Sequence, residues 1–111
     1  MAGKFEIDNA KDGQFFFRLK AGNGQIILMS EMYKAKQSCQ NGITSVKTNA
    51  AEEKQFEIKE SKSGKPYFVL KAKNHEVIGT SEMYESKAAC ENGIKSVMNN
   101  APDAEIKDLT A

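Results

Sequence analysis

Tryptophan is absent from these 111 residues, histidine occurs once, and cysteine and proline occur twice each. Each shortage excludes something. With His75 alone, no histidine-rich metal cluster and no duplicated Ser/His/Asp or Cys/His arrangement can be assembled. Two cysteines fall far below the density of a disulfide scaffold, match no metal-site spacing and fit a reducing compartment. No run approaches the roughly 18 apolar residues of a membrane span, and the opening MAGKFEIDNAKDG carries no apolar stretch of a secretion signal. The expectation is a cytoplasmic protein that does not engage a membrane. Neither sign of charge dominates, with 16 basic against 15 acidic residues and a formal net charge of +1, so charge balance names neither a nucleic acid nor an acidic substrate as partner. No P-loop, no G-x-G-x-x-G and no C-x-x-C is present, and no cofactor or metal is expected.

What the chain does contain is itself, twice. With 40% hydrophobic and 28% charged residues it has the size and composition of one globular domain. SEMYKAKQSCQNGITSVKTNA at residues 30–50 returns as SEMYESKAACENGIKSVMNNA at 81–101. The offset that aligns Phe5 with Phe56 also pairs Gly13 with Gly64, Phe17 with Phe68, Leu19 with Leu70, Ile27 with Ile78 and Cys39 with Cys90. About half of positions 5–50 are identical in the second copy, without a gap. This is a duplicated supersecondary unit, and one unit alone would bury too little surface to be stable. We read repeat one over 4–52, repeat two over 55–103 and a terminal strand over 104–108, where DAEIKD echoes FEIKE at 56–60 and is expected to lie beside a first strand.

Each copy reads as three strands and a helix. KFEI alternates and is followed by the turn signal NAKDG, as ESKSG follows in copy two. FFFRLKA sets Phe15, Phe17, Leu19 and Ala21 against Phe16, Arg18 and Lys20, the period of a sheet with one buried face. GNGQ and KNHE then make hairpins into IILM and VIGT. Beyond Tyr33 and Tyr84 the period lengthens. Cys39, Ile43, Val46 and Ala50, matched by Cys90, Ile94, Val97 and Ala101, form the stripe of an amphipathic helix. Ser86 is the expected N-cap of the second helix, Ala35 at the matching place offers none, and Pro102 ends the second helix. Gly42 and Gly93 lie in mid-helix, where each costs on the order of 1 kcal/mol relative to alanine; their duplication predicts close packing rather than ligand contact.

The ordered set Phe-Glu-Ile, Leu19-Lys20-Ala21, Ser30-Glu31-Met32-Tyr33, Asn41-Gly42-Ile43 and Ser45-Val46, repeated at one offset over nearly the whole chain, resembles the YegP-like family of small bacterial proteins. That resemblance implies a two-layer α+β fold, in which tandem β-β-β-α units with an exchanged terminal strand build one antiparallel sheet with both helices on one face. It carries over no activity and no catalytic residues.

Residue by residue, the chemistry-bearing side chains read mainly as scaffold. His75 occupies a hairpin turn where copy one has Gly24. Cys39 and Cys90 lie on apolar stripes, as small hydrophobes, with a symmetric pairing as the alternative. Glu31 and Glu82 precede the helices, where the dipole favours negative charge. Met32, Tyr33, Met83 and Tyr84 are expected to seal the edge of the core. One surface stands out. The sheet face away from the helices carries Phe16, Arg18, Lys20, Tyr67, Val69 and Lys71, interleaving aromatics with cations. The expected function is therefore a non-catalytic binding module, using that face for a protein partner or self-association. Weak single-stranded nucleic-acid binding through the same face is the alternative, and an enzyme acting on a small molecule between the copies is the third reading.

Overall fold

The structure, a computed structural model, describes residues 3–110. Copy one forms β1 (Lys4–Asn9), β2 (Phe15–Lys20), β3 (Ile26–Met29) and α1 (Lys36–Asn49). A single 3₁₀ turn at Glu53–Gln55 leads into copy two: β4 (Phe56–Glu60), β5 (Pro66–Lys71), β6 (Val77–Thr80) and α2 (Lys87–Asn100), followed by β7 (Glu105–Asp108). The strands form one sheet in the order β4-β5-β6-β3-β2-β1-β7. The copies meet at its centre, where Met29 faces Thr80, so each helix packs on strands of both: α1 on β2, β5 and β6, and α2 on β3 and β5.

The alternation read from the sequence determines the layers. Phe5, Ile7, Phe17, Leu19 and Leu28 from copy one and Phe68 and Leu70 from copy two point toward the helices, where they meet Cys39, Ile43, Val46, Cys90, Ile94 and Val97 in one core. The registers are duplicated as well. Phe5 pairs with Leu19 and Ile7 with Phe17, as Phe56 pairs with Leu70 and Ile58 with Phe68. A register shift falls at Leu19/Lys20 and again at Leu70/Lys71. Helix α2 is capped by Ser86, whose Oγ accepts from the Ala89 amide at 3.1 Å, while Ala35 ahead of α1 makes no side-chain cap.

Two expectations need correction. The sheet is mixed: the six strands of the repeats are antiparallel, but β7 runs parallel to β1, pairing Lys4 with Glu105 and Ile7 with Asp108. A strand that enters an outer edge after a helical crossover, rather than after a tight hairpin, is free to run parallel. The methionines do not seal the core. Met32 and Met83 are 49% and 53% exposed, and only the tyrosines turn inward, because successive side chains of an extended connection point to opposite sides.

Candidate functional site

The recurring SEMY-to-NGI segment works as a clamp. The Ser30 Oγ accepts from the Phe17 amide at 2.8 Å and donates to the Glu31 carbonyl, and Ser81 does the same for Phe68 and Glu82. Tyr33 then stacks on Phe17 with ring centres 6.4 Å apart, and Tyr84 on Phe68 at 6.1 Å. The helix glycine exists for this ring. A Cβ on Gly42 would lie 2.6 Å from the Tyr33 Oη and 2.9 Å from Phe17, and one on Gly93 would lie 2.6 Å from the Tyr84 Cζ.

The remaining candidates are equally structural in placement. Cys39 and Cys90 are free thiols fully buried in the core, and burial pushes the Cys39 thiol up to about 11, away from the reactive thiolate. Glu31 and Glu82 sit exposed on their separate connections. His75 is exposed and holds a left-handed φ of 71° in its hairpin. Among the described residues, no group of three or more His, Cys, Asp or Glu side chains is arranged to hold a metal, and no helix is long and apolar enough to cross a membrane.

On the sheet face away from the helices, Phe16, Arg18 and Lys20 lie on β2, and Tyr67, Val69 and Lys71 on β5. The cations there are already engaged. Arg18 donates to Glu6 at 2.8 Å and to Asp8 at 3.1 Å, and Lys20 approaches Glu6 at 3.2 Å. Glu6 is only 5% exposed; burial alone would raise its pKa, but the hydrogen bonds and charges of Arg18 and Lys20 outweigh it and hold the carboxyl below its ordinary value. Lys71 is bound by Glu57 at 2.5 Å. Arg18 also lies over the Phe16 ring, 5.6 Å from its centre, and Val69 is 4% exposed beneath its neighbours. The face is thus covered by its own compensated side chains.

The sheet edges differ. On the outer edge of β1, β7 fills the groove beside α1: Leu109 donates its amide to the Ile7 carbonyl at 2.8 Å, Ala104 enters the core, and Lys36 of α1 grips the Asp108 carboxylate at 2.8 Å. This contact from Lys36, with hydrogen bonds from Thr110, holds the Asp108 carboxyl down at about 2. Beside β4 no strand of the described residues enters the matching groove. A cavity of about 610 Å³ is lined there by Phe56, Ile58, Lys87, Glu91, Ile94 and Lys95 among others, and a second, of about 490 Å³, continues past Ile58 and Lys87 along Lys59 and Glu60. By the repeat offset, Phe56, Ile58, Lys87 and Ile94 are the counterparts of Phe5, Ile7, Lys36 and Ile43. Phe5, Ile7 and Ile43 are fully buried, whereas Phe56 and Ile58 are half-buried and Ile94 is 7% exposed. Lys87 makes no ion pair with any described residue. The sequence reading missed this groove. Its signal was arithmetical: two Phe-Glu-Ile first strands but one trailing Glu-Ile-Lys-Asp to cover them.

Comparison with known proteins bears on the whole chain. A family described as "Domain of unknown function (DUF1508)" matches twice in tandem, at residues 10–57 and 61–108. The UPF0339 protein YegP of Yersinia pestis is 57% identical over 108 residues, covering 97% of this chain and 96% of that protein. A UPF0339 protein of Mannheimia succiniciproducens is 56% identical over the same shares of each chain. Among solved structures, the solution NMR structure of UPF0339 protein SO3888 from Shewanella oneidensis superposes with a TM-score of 0.91 at 52% identity, over 98% of this chain and 92% of that one. The solution NMR structure of YegP from E. coli gives 0.93 at 48% identity, over 98% and 94%.

Proposed function

We propose a function for a chain that belongs to the DUF1508 family: it is a non-catalytic interaction module that binds a protein partner by adding an extended segment to the free edge of β4. The observation that carries this reading is the contrast between two equivalent grooves in one molecule, one filled by β7 and the other open. An exposed strand edge is a template for pairing, and proteins blunt such edges unless they use them. Here the edge sits beside a partly apolar groove in place of a covering element. The free thiols, both deep in the core, accord with a cytoplasmic setting.

The open sheet face supports binding less well. Its cations are neutralised by Glu6, Asp8 and Glu57, and a nucleic acid would have to displace those carboxylates before gaining contacts of its own. Titration with random single-stranded oligonucleotides at low salt is expected to show no binding.

The deciding experiment compares two variants in crosslinking and pull-down. Ile58→Pro removes an outward-facing amide while leaving the hydrogen bonds to β5, since Glu57 and Lys59 make those. The pair Phe16→Ala and Tyr67→Ala alters the open face. Partners lost with Ile58→Pro and kept by the face variant are the expected result, with an amide spectrum to verify that each variant folds. Partners that survive Ile58→Pro would refute the edge reading.

A further inference from the structure

Resting on the edge reading, we infer that the β4 groove takes, in parallel orientation, an extended segment of another protein whose consecutive residues are apolar, basic and acidic. The template is the molecule's own other half. On β1, Ile106 lies opposite Phe5, Lys107 opposite Glu6 and Asp108 opposite Ile7. Transferred by the repeat offset, the apolar residue falls opposite Phe56, at the rim of the groove and half exposed as Ile106 is. The basic residue points to the other sheet face opposite Glu57, and the acidic one falls opposite Ile58, within reach of Lys87 as Asp108 is of Lys36. The Ile58 carbonyl has the outward direction of the Ile7 carbonyl, because β4 and β1 keep the same register with their inner neighbours.

Two features favour a foreign segment over a second copy of this chain. The β7 of a second copy can reach this groove only by leaving its own β1, which exchanges one pairing for another without gain. A segment from elsewhere adds a strand ladder and covers half-buried Phe56 and Ile58 without vacating another strand edge. Lys87 supplies the charge complement: its counterpart Lys36 is bound to an aspartate, and it has no such partner among the described residues.

The test uses the full-length protein, isotopically labelled, titrated with the synthetic peptide Asp-Ala-Glu-Ile-Lys-Asp-Leu-Thr, which copies residues 103–110. Binding that slows exchange at the outward-facing Ile58 amide and shifts that of Phe56, which already donates to the Glu53 carbonyl, without disturbing Phe5 and Ile7, is expected. Lys87→Ala in the protein, or Asp108→Asn in the peptide, is expected to weaken it roughly tenfold, the worth of one partly shielded charge-assisted bond. A peptide that binds no better than its scrambled version, while partners still depend on β4, overturns the recognition rule and leaves the edge reading standing. Protection of β4 in the protein alone, rising with concentration, makes a second copy the occupant and also overturns it. Absence of any effect at β4, together with partners indifferent to Ile58→Pro, sinks both.

Discussion

The two halves of this molecule share their strands, registers, tyrosine clamps and helix glycines, yet they part at the outer edge, the open face and the centre, as well as in a helix cap and a hairpin. The first half has its edge covered by β7, a buried carboxylate on its open face and Leu28 at the centre. The second has a bare edge, Val69 in place of Arg18, and Gly79 in place of Leu28. Duplication supplied one solution twice, and the differences record what a single shared sheet demands. At the centre the reason is steric. A Cβ on Gly79 would lie 2.6 Å from the Leu28 Cδ2, so two leucines facing each other across the junction of β3 and β6 do not fit.

The largest effect is expected from making the edges equal. Ending the chain after Pro102 removes β7, uncovers Phe5 and Ile7 and breaks the parallel ladder, which should cost on the order of 3 kcal/mol in denaturant unfolding. Backbone amides of Ile7 and Ile58 should exchange at very different rates in the intact protein, because β7 pairs with β1 alone, and at similar rates after the truncation. Restoring symmetry at the centre is next. Gly79→Ala forces a methyl group into the fully buried Leu28 side chain and should cost about 2 kcal/mol; combined with Leu28→Ala, the double variant should be more stable than the sum of the single losses implies.

On the open face, Arg18→Met leaves Glu6 buried with Lys20 as its main partner and should cost about 2 kcal/mol, whereas Lys71→Met leaves the more exposed Glu57 with Lys59 at 3.8 Å and should cost much less. In the hairpins, Gly24 and His75 both hold a left-handed backbone, with φ of 86° and 71°. Gly24→Ala should destabilise by about 1 kcal/mol, and His75→Gly should stabilise by about 0.5 kcal/mol, read as opposite shifts in thermal midpoint.

The smallest effect concerns acid. The Asp108 carboxyl is depressed from 3.8 to about 2 by Lys36 and Thr110, so it binds protons more readily unfolded than folded. Its contribution is complete above pH about 4 and is lost as pH falls toward 2. Asp108→Asn should flatten this part of the pH-stability curve, and the corresponding Lys87 edge should show no such dependence.

Much of the architecture was legible because alternation and helical spacing are local. Phe17 and Leu19 against Phe16 and Arg18 state which side of β2 is buried, and the Cys39-Ile43-Val46 stripe states which side of α1 meets it. Ser86 was legible as a cap for the same reason. On the open face, the neutralisation of the cations was not visible. Glu6 is twelve residues from Arg18, and only the pairing of β1 with β2 brings them together. The groove beside β4 was harder still, since Lys87 and Ile58 are unremarkable until one sees where β7 went.

By itself, then, the sequence determined the repeat, the elements and the faces, because side-chain periodicity acts within a few residues. Tertiary structure alone decided that β3 and β6 meet at the centre, that β7 runs parallel on β1, and that β4 keeps a free edge. Phe-Glu-Ile begins both outer strands and cannot say which of them a single terminal strand will cover. That choice depends on where the chain emerges from α2, a property of the assembled layers.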